Sequence, residues 1–494
     1  MHDDFEACYR AIASRDDRFD GRFFTAVTST GIYCRPVCPA RTPKRANVRF
    51  YASAAAAEAA GFRACLRCRP HLAPGSLQPG GGERVADRAL RLIASGAADG
   101  GAGVATVARS LQVSQRHLHR VLSEAVGAGP LTLARTRRLQ TARTLIEQTP
   151  MPITDVAYSA GYSSLRQFNS EVLAGTSGTP TELRRGGTTG HDGDGAIVLR
   201  LGVRPPFDGQ ALLRFFAARA VTGVEVSSAT ALTRSLWLAH GAAVVELQPQ
   251  PTHLVARLWL DDVRDLGCAV DRCRRLFDVD ADPESISDVL CADPLLAPLV
   301  AAQRGLRVPG GADAEEIAIR AVLGQQVSVA RGSALASRLS ARLGRQLPRS
   351  RHGVDRLFPT AGSIAPADLG FLGLTSERAA TLLRLCEAVA RGDLDLGAGG
   401  DADQLTGRLL SIRGIGRWTA AYIAMRGLRH PDAFPTGDLG LRRAFAAVGG
   451  GDSAALTVRA ERWRPWRAYA AIHLWNSSAH PTPASTSASL ETSP

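Results

Sequence analysis

The sequence predicts a multidomain α+β protein in four folded pieces: a small metal-stapled module, an all-α domain, a small antiparallel α+β domain and a second all-α domain. Three observations carry this. At 494 residues the chain is too long for one ordinary core, given roughly one domain per 150 residues. Two Gly-rich, turn-forming runs without periodicity cut it as linkers: LAPGSLQPGGGE near 72–83 and RRGGTTGHDGDG near 184–195. Between the cuts the hydrophobic period changes from piece to piece. The expected boundaries are 1–75, 84–186, 196–300 and 301–476, with a polar, disordered tail over 477–494.

Composition narrows the partners. The formal net charge is +13, which favours a polyanion because each neutralised phosphate releases condensed counterions. Nucleic acid is the expected partner. Lys44 is the one lysine in the sequence, so arginine supplies the remaining positive charge. The acidic, polar start MHDDFEACYR lacks the basic and apolar regions of a signal peptide, and no run approaches the roughly 18 apolar residues of a membrane span. A cytoplasmic, nucleoid-associated protein without a membrane partner is expected. Nine cysteines, an odd number spread over a long chain, point to metal or catalytic use rather than a disulfide framework.

In the first piece Cys34, Cys38, Cys65 and Cys68 stand as C-x3-C and C-x2-C, a spacing that lets two short turns close on one tetrahedral zinc. A piece this small has little core of its own, so one Zn²⁺ per chain explains how it folds. From spacing alone the zinc is structural. The surrounding FFTAVTSTGIYCRPVCPARTPKRANVRFY and AGFRACLRCRPH resemble the N-terminal domain of the Ada family of alkylation-response proteins over residues 1–72. That resemblance implies that Cys34 takes a methyl group from a methylphosphotriester while Cys38, Cys65 and Cys68 complete the zinc site, with Lys44 and Arg45 beside the DNA. Thiolate is the reactive form of cysteine, and metal binding keeps it deprotonated.

Residues 84–185 show apolar positions at three- and four-residue spacing, as in ADRALRLIA and LTLARTRRLQTARTLIEQ. Two stretches read as helix-turn-helix units. In VATVARSLQV–SQRHLHRVLSEAVG, Ser114 caps a helix presenting Gln115, Arg116, His119 and Arg120. In PITDVAYSAGYSSLRQFNSEV, Gly161 makes the turn and Arg166, Gln167 and Asn169 begin the next helix. With the closing GTSGTPTELR, the pair resembles the AraC-type DNA-binding domain. Glu171, Val172 and Leu173 depart from that family's aromatic and basic continuation, so the second helix is expected to bind mainly through the backbone.

Past the second linker, AIVLRLGV, RSLWLAHGAAVVELQP and THLVARLWLDD alternate and are rich in β-branched residues. They predict an antiparallel sheet with one covered face. From about residue 284 the pattern is helical. LLSIRGIGRWTAAYIAMRGL, at 409–428, ends one helix, turns through Gly414 and Gly416 and starts another. This is a helix-hairpin-helix, whose glycines admit a close DNA phosphate and whose helix-start N–H groups are anion donors. Asp438 follows in FPTGDLGLRR; read locally, it is either a helix N-cap or a catalytic carboxylate.

Hairpin, Gly/Pro loop and Asp together resemble the helix-hairpin-helix glycosylases, and 196–476, with RAVLGQQVS and ERWRPWRAYAAIHLW, resembles DNA-3-methyladenine glycosylase II of the AlkA type. The resemblance implies that Asp438 is the catalytic carboxylate, that Phe215, Trp418, Tyr422 and Trp475 line or neighbour the base pocket, and that Gln326 is a wedge entering the duplex. It also implies that strand-cutting relatives carry a lysine where this chain has Trp418, so the enzyme is expected to be monofunctional. Cys8, Cys268, Cys273, Cys291 and Cys386 show no ligand spacing and are expected to be buried apolar residues.

The reading is a monomeric fusion of methyl acceptor, transcription activator and alkyl-base glycosylase. Its partners are double-stranded DNA, alkylated and promoter, and RNA polymerase. The alternative is a non-enzymatic regulator with a degenerate glycosylase half.

Overall fold

The computed structural model describes residues 2, 4–74, 85–99, 103–176, 178–185, 194–397 and 401–479. The centres of both Gly-rich runs and the tail from 480 lie outside the described residues. Among the described residues no helix is long and apolar enough to cross a membrane.

The zinc module opens with the helix Phe5–Ser14, capped by Asp4, whose carboxylate accepts from the Ala7 N–H. Strands β1 (Phe24–Val27), β2 (Ile32–Cys34), β3 (Val48–Tyr51) and β4 (Arg63–Ala64) follow in the order β3-β1-β2-β4. Only β2 and β4 run parallel. With two to four residues each, these strands are too short to show an alternation in sequence.

In the helical domain Gly103–Ser110 and Gln115–Val126 form the first helix-turn-helix, and Ile153–Ser159 and Leu165–Thr176 the second. The 19-residue helix Pro130–Gln148 joins them and is buried on more than one side, Leu133 in the core of the first unit and Leu139, Leu145 and Ile146 in the core shared with the second. Val172 is core rather than reading surface, at 1% exposure. Glu171 is drawn to Arg135 and accepts from Gln167, so the departure at 171 and 172 follows from local contacts, whereas Leu173 is exposed and nothing in the structure explains it.

The third piece is an antiparallel sheet of β5 (Ile197–Gly202), β6 (Glu225–Ser227), β7 (Leu232–Trp237), β8 (Ala242–Pro249) and β9 (His253–Leu260), in the order β5-β9-β8-β7-β6. The expectation of one covered face holds for β5 and β9, whose burial alternates, and needs correction at β7 and the start of β8. Leu232 through Leu236 are all buried, because the last helical domain closes the second face. Arg234 there pairs with Glu316, and Ser235 and Trp237 donate to the carbonyls of Arg356 and Phe358. One apolar core runs from Ile146 and Phe168 of the helical domain to Leu199 and Leu258 of the sheet.

From 283 the chain is helical, interrupted by a hairpin of β10 (Gln346–Arg351) and β11 (Val354–Arg356), which the helical reading of this region missed. Two apolar clusters flank the helix Arg417–Arg426, and Tyr422 packs against both. The cysteine expectation is also corrected in part: Cys8, Cys273 and Cys386 are buried, whereas Cys268 is half-buried and Cys291 exposed. Cys291 closes the helix Pro283–Leu290 as its C-cap.

Candidate functional site

The hairpin begins at Gly414, whose φ of +96° favours glycine and whose added Cβ would lie 1.9 Å from the Thr381 hydroxyl. Gly416 differs from expectation. Its φ is −91° and a Cβ there would meet open space, so the turn does not require glycine at 416. It is the N-cap of Arg417–Arg426 and no side chain caps that helix, leaving the first-turn N–H groups facing outward for an anion.

Trp418, Tyr422 and Arg426 recur every four residues on this helix and so share one face. That face walls a cavity of about 560 Å³, to which Phe215, Asp438 and Trp475 also contribute. The Trp418 and Tyr422 rings stack at 5.3 Å with 14° between planes. Asp438 caps the helix Leu439–Ala447 by accepting from the Leu441 N–H at 2.8 Å. Its carboxylate also accepts from the indole N–H of Trp418 at 2.8 Å and of Trp475 at 2.9 Å. The two local readings of Asp438 thus describe one residue: cap and cavity-wall carboxylate.

Gln326 is not on the cavity wall. It is exposed between the helices Ala314–Leu323 and Val329–Leu343, beside wall residues Gly324 and Val327. Its φ of +54° is left-handed for a side-chain-bearing residue, a conformation that persists only where the surroundings impose it. Gln325, unremarked in the sequence, supplies part of that constraint by donating to the Gly414 carbonyl and the Thr419 hydroxyl, both at 3.0 Å. The rim loop and the hairpin are therefore one unit.

Two arginines were also missed. The Arg219 and Arg426 guanidinium carbons lie 3.8 and 4.7 Å from the Phe215 ring centroid. Arg426 donates to the Tyr422 hydroxyl at 2.8 Å and to the Pro309 carbonyl at 2.8 Å. Burial pushes the Tyr422 hydroxyl pKa up, but Arg426 and Arg219 outweigh it and hold the value below the usual one. Burial lowers that of Arg219. Arg426 was legible as the third member of the four-residue spacing; Arg219 had no comparable signal.

In the zinc module the sulfurs of Cys34, Cys38, Cys65 and Cys68 lie within 4.8 Å of one another. Tetrahedral thiolates at about 2.3 Å from zinc are about 3.8 Å apart, so the four residues fit the ion. The Arg35 N–H donates to Cys68 Sγ at 3.4 Å. Lys44 and Arg45 are exposed, Arg45 paired with Glu6 and 4.5 Å from the Tyr9 ring centroid. The module is docked on the long helix, where Arg143, paired with Glu147 at 2.8 Å, donates to the Cys65 carbonyl.

On the first recognition helix Ser114 accepts from the His117 N–H at 3.2 Å. Arg116 and Arg120 point outward, with Arg120 held by Glu124 at 3.1 Å. Arg166 and Gln167 are exposed at the start of the second.

Four family models match the chain: the metal binding domain of Ada at 7–71, a helix-turn-helix domain at 107–186, the AlkA N-terminal domain at 198–313, and the HhH-GPD superfamily base excision DNA repair protein at 319–468. A Mycobacterium tuberculosis protein named "Probable bifunctional transcriptional activator/DNA repair enzyme AlkA" is 48% identical over 97% of this chain and 98% of its own. DNA-3-methyladenine glycosylase 2 of Escherichia coli is 36% identical over 55% of this chain and 94% of its own. Among solved structures, a 3-methyladenine DNA-glycosylase from Archaeoglobus fulgidus shares the fold of the second half, with a TM-score of 0.50 and 22% identity, covering 57% of this chain and 98% of that one. The chain belongs to the family of bifunctional transcriptional activator/DNA repair enzymes of the AlkA type.

Proposed function

We propose that the chain is a monofunctional glycosylase excising 3-methyladenine-type bases, fused to a zinc-dependent methyl acceptor and transcription activator. The observation that carries it is the Asp438 carboxylate, held by Trp418 and Trp475 at the wall of an aromatic cavity beside the hairpin.

A base inside a duplex is out of reach, so it is extruded into the cavity while Gln326 fills the gap it leaves. Alkylation at a ring nitrogen makes the base cationic and a better leaving group. The faces of Trp418, Tyr422 and Trp475 hold such a ring at about 0.5 to 2 kcal/mol each. As the glycosidic bond breaks, its electron pair leaves with the base and positive charge grows on the sugar. Asp438 stabilises that charge and positions water for attack at C1′. With no lysine in residues 196–476, a Schiff base to the opened sugar has no side-chain amine to form it.

In the first module Cys34 Sγ attacks the methyl carbon of a methylphosphotriester; the S–C bond forms, the C–O bond breaks and the phosphodiester leaves with the electron pair. Cys34, Cys38, Cys65 and Cys68 would hold the zinc, which when bound would keep the Cys34 sulfur anionic. A thioether does not revert, so this transfer is stoichiometric. Arg116 and Arg120, with Arg166 and Gln167, are the proposed promoter contacts, Lys44 and Arg45 the backbone contacts near Cys34. RNA polymerase, a monomeric state and a cytoplasmic location are parts of the same proposal.

The test is excision from methylated duplex DNA together with elemental analysis. Free 3-methyladenine and one zinc per chain are expected. Specific DNA binding without base release would favour the non-enzymatic alternative.

A further inference from the structure

The zinc module touches the glycosylase half as well as the helical domain, through a contact shaped to exclude side chains. Gly202 of β5 would place a Cβ 2.6 Å from the Leu72 carbonyl oxygen of the zinc module; within the module, Gly21, at φ +74°, would place one 2.0 Å from the Pro74 carbonyl oxygen, which fixes the backbone that faces the glycosylase half. At this contact Arg204, 4% exposed, donates to the carbonyls of Asp20 at 3.2 Å and Pro74 at 3.4 Å. It also lies 3.8 Å from Asp282, which Arg22 of the zinc module clamps from the other side. A buried guanidinium beside a half-buried ion pair is tolerated where each group finds partners, and here the partners come from both halves of the chain.

The contact has a continuation at each end. On the zinc side, the Asp20 carboxylate accepts from Arg35 Nε at 2.8 Å, and Arg35 in turn donates its backbone N–H to Cys68 Sγ and its guanidinium to the Cys68 carbonyl. On the other side, Arg307 donates to the carbonyls of Arg204 at 2.8 Å and Pro206 at 3.1 Å, and Arg307 lines the base cavity. Two residues past Pro206, Asp208 caps the helix Gly209–Ala217, which carries Phe215. A contiguous set of hydrogen bonds therefore runs from the cysteine cluster to the cavity wall.

We propose that the zinc module is a docked regulator of the glycosylase half, with Asp20 and Arg204 carrying the condition of the four-cysteine cluster to the wall of the base cavity. This rests on the reading of Cys34 as methyl acceptor and of the Asp438 cavity as the excision site. Arg35 is shared between an anionic cluster and the Asp20 carboxylate. Methylation of Cys34 removes one negative charge from the cluster and leaves the Asp20 carboxylate the stronger anion for Arg35, which pins residue 20 and with it the backbone carbonyl to which Arg204 donates. Asp20 and Arg204 are positioning residues, since neither touches the base.

The experiment uses the full zinc-loaded chain as wild type, Asp20→Asn and Asp282→Asn; asparagine retains the cap that Asp282 gives the helix Pro283–Leu290. Amide hydrogen exchange is followed over 204–217 and 305–309, with single-turnover excision and affinity for abasic DNA measured in parallel. Each variant loses a charge-assisted hydrogen bond, so exchange there is expected to quicken by about tenfold or more. Excision should slow severalfold with affinity for abasic DNA unchanged. Methylation of Cys34, verified by mass, should slow exchange in the wild type and not in Asp20→Asn. Wild-type exchange and excision in both variants, or a methylation response retained in Asp20→Asn, would overturn the proposal. If the mass shows no methyl on Cys34, the methyl-acceptor reading fails, while the comparison of the variants, which needs no methyl, still decides whether the halves are coupled.

Discussion

Asp438→Asn separates binding from chemistry. Asparagine caps a helix as well as aspartate, so the Leu441 N–H at 2.8 Å keeps its acceptor. One of the two indole N–H groups that now reach the carboxylate would face an amide NH2 instead. That mismatch costs about 1 to 3 kcal/mol of stability, which a folded variant survives. The catalytic loss is larger. A full charge about 4 Å from the developing sugar cation, at an effective dielectric near 20, is worth about 4 kcal/mol, or a factor of about 10³ in rate. Because this interaction exists only as the bond breaks, affinity for alkylated DNA should change little. Single-turnover excision read by alkaline strand cleavage, beside a binding titration, measures both. Excision within tenfold of wild type would show that the charge at 438 is not what stabilises the transition state. Parallel loss of affinity and excision would show instead that Asp438 acts through the shape of the cavity.

Gly414→Ala should lower the melting temperature, because a left-handed backbone and the clash with Thr381 cost about 1 to 3 kcal/mol; Gly416→Ala should leave it nearly unchanged yet weaken DNA binding, and equal melting losses would refute the distinction. Methylated Cys34 should strengthen specific promoter binding at fixed salt, as removing one charge about 4 to 6 Å from phosphate at an effective dielectric near 20 to 40 is worth about 1 to 3 kcal/mol; equal affinities would place the switch elsewhere, and Cys34→Ala should take up no methyl. Wild type should leave abasic strands intact until alkali is added, and borohydride should trap no adduct within 196–476; a trapped adduct mapped there would disprove the monofunctional reading. His473 is 5% exposed, and burial lowers its pKa from 6.5 to about 4. Its neutral form is favoured in the fold, so its contribution is complete above pH 6.5 and is lost as pH falls toward 4, by about 3 kcal/mol in all. Urea midpoints across that range should fall for wild type and flatten in His473→Gln, and an unchanged slope would count against the assignment.

What the sequence determined by itself is local. Four cysteines at short spacing, a serine before a helix and a glycine pair between two helices are each written within a few residues, because caps, turns and metal staples are satisfied by near neighbours. Hence the metal cluster, the Ser114 cap and the hairpin were legible, as were the three segments that hold the four longer strands β5, β7, β8 and β9, and the four-residue spacing of Trp418 and Tyr422. Strands of two to four residues carry no period, and Gly416 looked conformationally necessary because its φ is invisible in sequence. The tertiary structure alone decided what distant segments do to one another. It closed the second face of the sheet over Leu232–Leu236, put Arg219 and Arg426 against Phe215, locked Gln325 to Gly414, and set Asp20 against Arg204 across 184 positions of chain. The physical reason is that a buried polar group must find its partner wherever the fold supplies one, and no local pattern states which.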